Sequence, residues 1–153
     1  MLSSFTQEEM ERALSLFQVF ARAFKSVSEH AIRDSKENGF NPTEFSVLEL
    51  LYTKGPQKLQ QIGSRLLLVS GNVTYTIDKL EKSGFIYREQ DPNDKRSMYA
   101  KLTEKGKHFL DEIYPLRALR IARAFSGLSA EEQQQLRELL KKLGISSQNI
   151  LFR

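Results

Sequence analysis

The chain of 153 residues contains no cysteine, which excludes disulfides, thiolate metal ligands and a cysteine redox switch within it. His30 and His108 are its only histidines, too few for a histidine-rich metal site. No apolar run approaches the roughly 20 residues that a membrane-spanning helix needs. Met1-Leu2-Ser3-Ser4-Phe5 lacks the basic segment and apolar run of a signal peptide. There is no glycine loop of the kind that cradles phosphates, no cysteine nucleophile, no internal repeat and no low-complexity segment. These absences lead to the expectation of a cytoplasmic protein that is not an enzyme and carries neither cofactor nor metal. The length suits one domain, or one domain with a helical annex.

What is present is a mild basic excess. Lys and Arg number 23 against 19 Asp and Glu, giving a formal net charge of +4. That balance is compatible with a polyanionic partner, although many proteins carry it without one.

The organising stretch runs from residue 59 to 102. Leu59, Ile62 and Leu66 are spaced three and four apart, which gives a short helix with one buried side. After a turn, Ser70 can cap a second helix from Gly71 to Lys82, and Gly84 sits where a left-handed residue would end it. Val73, Ile77 and Leu80 share the apolar face of that helix, with Tyr75, Asp78, Lys79 and Lys82 largely opposite. Phe85 to Gln90 and Ser97 to Leu102 read as two strands joined by the turn-forming Asp91-Pro92-Asn93-Asp94, with Lys95 and Arg96 near the tip. Two short helices, a tight turn and a two-stranded wing make a winged helix-turn-helix whose second helix would enter a DNA major groove.

On either side the chain is helical. Thr6-Gln7-Glu8-Glu9 matches a capping box and opens a long helix with two adjacent apolar stripes, too wide a face for one neighbour. Asn41-Pro42-Thr43-Glu44 starts another helix, whose stripe is Phe45, Leu48, Leu51 and Tyr52. Beyond the wing, Thr103 is the expected cap of a helix that Pro115 should kink or split. Ser129-Ala130-Glu131-Glu132 opens a last helix, closed by Gly144, and the tail holds Ile150, Leu151 and Phe152. Packing the first and last helices together, and two copies across a two-fold axis, would remove the excess apolar surface from water. The fold expected is mainly α (α+β). Residues 1–36 and 104–153 would form a helical homodimerisation region, and residues 37–103 the winged helix-turn-helix lobe.

Asp91-Pro92-Asn93-Asp94-Lys95-Arg96, followed by Leu102-Thr103-Glu104-Lys105-Gly106 and preceded by the stretch from Asp78 to Ile86, resembles the signature of MarR-type bacterial transcriptional regulators. The resemblance implies a triangular homodimer with interlocking terminal helices and two lobes that read an inverted repeat in double-stranded DNA. It usually brings a small-molecule pocket between dimer helices and lobe. Within the family the sequence is similar to the branch that responds to quinones and phenolic compounds, which makes a small aromatic effector the expected ligand. Where many relatives have arginine beside the wing arginine, this chain has Lys95, a point charge in place of a bidentate fork.

The residues expected to meet DNA are Ser70, Asn72, Thr74, Tyr75 and Lys79 on the second helix and Asp94, Lys95 and Arg96 on the wing. Asn72 could pair with an adenine edge, Thr74 could touch a thymine methyl or phosphate, and Lys79 could contact phosphate. The resemblance places Arg96 in the minor groove, with Asp94 holding the wing or the arginine by a salt bridge. For the aromatics Phe17, Phe20, Phe24 and Tyr52 core packing is the first expectation, and some of them, with His30, are candidates for lining a phenolic-ligand pocket. Arg117, Arg120 and Arg123 recur every three residues and read as a solvated face or intersubunit ion pairs in preference to an anion site. The function expected is a dimeric repressor released by a ligand. A winged-helix protein-interaction module without sequence-specific DNA binding is the alternative.

Overall fold

A computed structural model describes residues 4–67, 69 and 71–152. The order of elements is α1 (Gln7–Glu37), α2 (Pro42–Lys54), β1 (Gln57–Lys58), α3 (Leu59–Arg65), α4 (Val73–Lys82), β2 (Ile86–Asp91), β3 (Asp94–Leu102), α5 (Glu104–Ala124) and α6 (Ala130–Leu151). The strands form one antiparallel sheet in the order β1-β3-β2. Among the described residues, no helix is long and apolar enough to cross a membrane.

The capping residues do what their types allow. Thr6, Asn41 and Ser129 each accept from the amide three residues on, while Glu9, Glu44 and Glu132 reach back to the cap amides, so all three boxes close. Gly84 takes φ +77°, the left-handed conformation that lets the chain leave α4 and enter β2.

Around these helices sits one core. Phe45, Val47, Leu48 and Leu51 of α2 meet Ile62 of α3, Ile77 and Leu80 of α4, Ile86 and Ala100 of the sheet, and Leu110 of α5. Phe40, Phe85 and Phe109 close its edge, with Phe40–Phe85 and Phe40–Phe109 centroids 5.2 and 5.3 Å apart. The first turns of α5 therefore belong to the lobe's core.

Several expectations are corrected. The cap role of Ser70 lies outside the described residues. The second helix of the motif begins at Val73 and not at Gly71, and its N-cap is Asn72, whose Oδ1 accepts from the Tyr75 amide at 2.9 Å. A strand too short to leave a periodic signal, β1, pairs with β3 through Gln57↔Ala100 and Lys58↔Tyr99. Pro115 does not split α5, which is helical from Glu104 to Ala124. Proline forfeits one amide bond, but Arg117 and Arg120 beyond it tie the continuing helix to α1 and α2. Nor does Gly144 close the last helix. An interior glycine costs only about 1 kcal/mol, and α6 continues to Leu151, carrying the tail residues Ile150 and Leu151 inside it.

Candidate nucleic-acid interface

α4 turns one face inward with Ile77, Leu80 and also Thr76, whose hydroxyl donates to the Asn72 carbonyl at 2.9 Å. Thr74 and Tyr75 are exposed, Tyr75 at 69 %. Asn72 is exposed too, but its oxygen is committed to the cap. A bidentate adenine contact needs both that oxygen and the amide NH2, so in this conformation only the NH2 is free to donate.

Lys79 is placed differently from the expectation of a free phosphate contact. Its ammonium pairs with Glu44, a carboxylate almost without exposure that also completes the capping box of α2. The Glu44 partnership, through a hydrogen bond above all, raises the Lys79 pKa. Lys79 thus joins the two helices from inside one chain. On the other flank Arg88 of β2 pairs with Asp78, and its Nε lies 3.3 Å from Glu81 Oε2, close enough for an ion pair though poorly aligned for a hydrogen bond. Arg88 neutralises two carboxylates that would otherwise repel phosphate from this helix.

The wing is built by aspartates. Pro92 and Asn93 form its turn, and the register steps from Gln90↔Met98 to Asp91↔Asp94, which leaves residues 95–97 outside the regular ladder. Asp91 is buried and accepts from the Asn93 amide at 2.9 Å and from Lys58 at 3.2 Å. Asp94 accepts from the Ser97 hydroxyl at 2.8 Å and the Arg96 amide at 3.0 Å. These bonds hold both carboxyls below their ordinary pKa: the Asn93 amide leads for Asp91, the Ser97 hydroxyl for Asp94. Asp94 therefore fixes the wing through backbone and Ser97, not through a salt bridge to the Arg96 guanidinium. Gln90 donates to the Lys95 carbonyl at 2.7 Å. Lys95 and Arg96 themselves are exposed, and among the described residues neither side chain has a partner.

The five residues expected to hold a ligand are not brought together. Tyr52 donates to Asp111 at 2.9 Å and packs on Tyr114, with centroids 5.0 Å apart. Phe20 and Phe24 stack on each other at 6.5 Å and, like Phe17, are exposed on α1. His30 lines a cavity of about 290 Å³ with Arg33, Asp34, Glu37, Arg120 and Arg123, a charged rather than aromatic lining. Of the three spaced arginines, Arg117 is buried, pairs with Asp34 and Glu49 at 3.2 and 2.8 Å, and lies 4.4 Å from the Phe45 ring centroid. Arg120 also pairs with Asp34, at 2.8 Å, and with Glu37. These bonds are within one chain, not a solvated face or intersubunit pairs.

Sequence reasoning missed Lys58, Arg88, Asp91 and Ser97. Asp91 was legible as a turn former, but its partner lies 33 positions earlier on a strand of two residues, beyond any local pattern.

A capped helix clamped at both flanks, beside a hairpin that presents two cations unpaired among the described residues, defines a winged helix-turn-helix of the DNA-binding type. The MarR family pattern matches residues 40–98. Over 98% of this chain and 97% of the relative, the sequence is 77% identical to YkoM of Bacillus subtilis strain 168, named as an uncharacterized HTH-type transcriptional regulator. It is 45% identical to the HTH-type transcriptional regulator MhqR of the same organism, over 90% of this chain and 94% of MhqR. The fold matches Sco3205, a MarR family transcriptional regulator from Streptomyces coelicolor solved in complex with DNA, with TM-score 0.75, 22% identity, and coverage of 94% of this chain and 90% of that one. The chain belongs to the MarR family of transcriptional regulators.

Proposed function

We propose that two copies of the chain bind an inverted repeat in double-stranded DNA and repress transcription in the cytoplasm. Each lobe lays α4 in a major groove, with Thr74, Tyr75 and the NH2 of Asn72 toward the bases, and places Arg96 in the flanking minor groove beside Lys95. Ser70, before the helix, and Lys79, when it exchanges Glu44 for a phosphate, complete the contact set. Residues 1–36 and 104–153 contain the interface between copies, and residues 37–103, with the first turns of α5 packed on their core, form the reading lobe. The observation that carries this reading is the wing tip, where two cations without partners among the described residues stand on a backbone pinned by Asp94.

Release by a small phenolic or aromatic ligand is part of the proposal. Such a ligand would favour a spacing of the lobes that no longer fits half-sites about one helical turn apart. Phe17, Phe20 and Phe24 share the exposed side of α1 where it would be sought between copies, whereas His30 faces the charged cavity with Arg120 and Tyr52 is held by Asp111.

Selection of bound sequences from a random duplex pool tests the function. Enrichment of a palindrome whose binding weakens steeply with salt is expected. Enrichment of nothing, with binding only to protein partners, would favour the interaction-module reading.

A further inference from the structure

We infer that Lys58 is a positioning residue for the wing, a strut that runs from the start of α3 to the turn carrying Arg96 and fixes how that arginine is presented to DNA. The inference rests on the DNA-binding reading above. Lys58 occupies the N-cap position of α3 yet makes no capping hydrogen bond there. A cation at that end of a helix stands against the partial positive charge of unpaired amides, where a serine or aspartate would be favourable. Its side chain instead crosses β3, with Nζ 5.7 Å from the Tyr99 ring centroid, and ends 3.2 Å from Asp91 Oδ2.

Asp91 is only 6 % exposed, and its other oxygen holds the Asn93 amide inside the turn. Three residues on, Asp94 holds the amide of Arg96. A continuous chain of bonds thus joins the first helix of the motif to the backbone of the arginine. The other ion pairs of the hairpin do not replace it. Arg88 joins the strand to α4 at the far end, and Lys101 with Glu89 only links the two strands. Because β1 pairs with β3 no nearer the tip than Tyr99, the Lys58–Asp91 pair is the described ion pair that anchors the tip to the rest of the lobe.

Titration of the full-length protein against a fluorescent duplex carrying the enriched palindrome, over a series of salt concentrations, separates this role from a phosphate contact by Lys58 itself. K58M should bind about 10-fold more weakly with the salt slope of the parent, and K58R should recover most of the loss. D91N should show the same loss although it makes the protein more basic, and the K58M/D91N double variant should be no weaker than either single one. R96A should cost less in the K58M background than in the parent. Undiminished binding by K58M overturns the inference. So does a salt slope reduced by about one together with tighter binding by D91N, the signature of a direct phosphate contact. Melting curves of K58R and D91N guard against a loss that merely reports unfolding. Should the parent protein enrich no sequence at all, the DNA-binding reading fails first and takes this inference with it.

Discussion

Among the described residues the Arg96 guanidinium has no partner, while the backbone beneath it is held by Asp94 Oδ1 at 3.0 Å. A guanidinium delivered on an ordered backbone loses less entropy on entering a narrow groove than one on a free loop. R96A is therefore expected to weaken operator binding by roughly 1–3 kcal/mol while leaving the melting temperature and oligomeric state unchanged. A gel-shift titration at fixed salt, paired with a thermal melt, checks both halves. The aspartates below it carry a pH signature. Asp91 and Asp94 are lowered from the ordinary 3.8 in the folded chain, so their stabilisation is fully present above that value and is lost as pH falls through the folded values. Wing-dependent stability should be flat between about pH 5 and 8 and decline below about pH 4, and D94N should lose the part of that decline that Asp94 supplies. Melts followed by circular dichroism over a pH series measure it.

At the scale of elements, the joint between wing and α5 shows why Leu102-Thr103-Glu104-Lys105-Gly106 has the residues it has. The Thr103 hydroxyl caps α5 by accepting from the Gly106 amide at 3.1 Å and donates to the Gly84 carbonyl, while its own amide binds the Phe85 carbonyl at 3.0 Å. Gly106 passes so close to the strand that an added Cβ would lie 2.2 Å from the Phe85 oxygen. Since that neighbour is backbone, it cannot swing away, and G106A should destabilise by about 3 kcal/mol, read as a lower urea midpoint with an unchanged slope. Local signals carried much of this architecture: three capping boxes, the Thr103 cap and the Gly84 stop are written in short motifs and are where the sequence puts them. What escaped depends on distant neighbours. Pro115 and Gly144 look like breaks in a window of ten residues, yet arginine pairs follow Pro115, good helix formers from Leu139 to Leu143 lead into Gly144, and both helices continue. Lys79 reads as a free cation until Glu44, 35 positions away, is seen beneath it. Asn72 reads as a bidentate adenine contact until its oxygen is found on the Tyr75 amide, which leaves only its NH2 for a base.

The whole molecule explains the surface that one chain leaves uncovered. α6 has no buried residue, and Leu139, Leu140, Leu143 and Ile150 lie open along it. Over its first two-thirds α1 exposes Leu14, Phe17, Phe20 and Phe24 in the same way, and only its last turns, through Ala31 and Asp34, are seated on the lobe. Exposed apolar residues on two helices are what a partner removes from water, and the proposed association of two copies through these helices would supply one of matching character. The buried Arg117 ties α1 to α2 within the chain, and in the proposed dimer it would help to set the angle at which each lobe leaves the paired helices.

Sedimentation equilibrium of the protein, alone and on a duplex with two half-sites, tests the pairing of lobes most directly. The account predicts twice the chain mass at micromolar concentration without DNA, and two chains on each duplex with a large loss of affinity when one half-site is scrambled. A single chain in solution that binds the scrambled duplex as tightly as the intact one would contradict it.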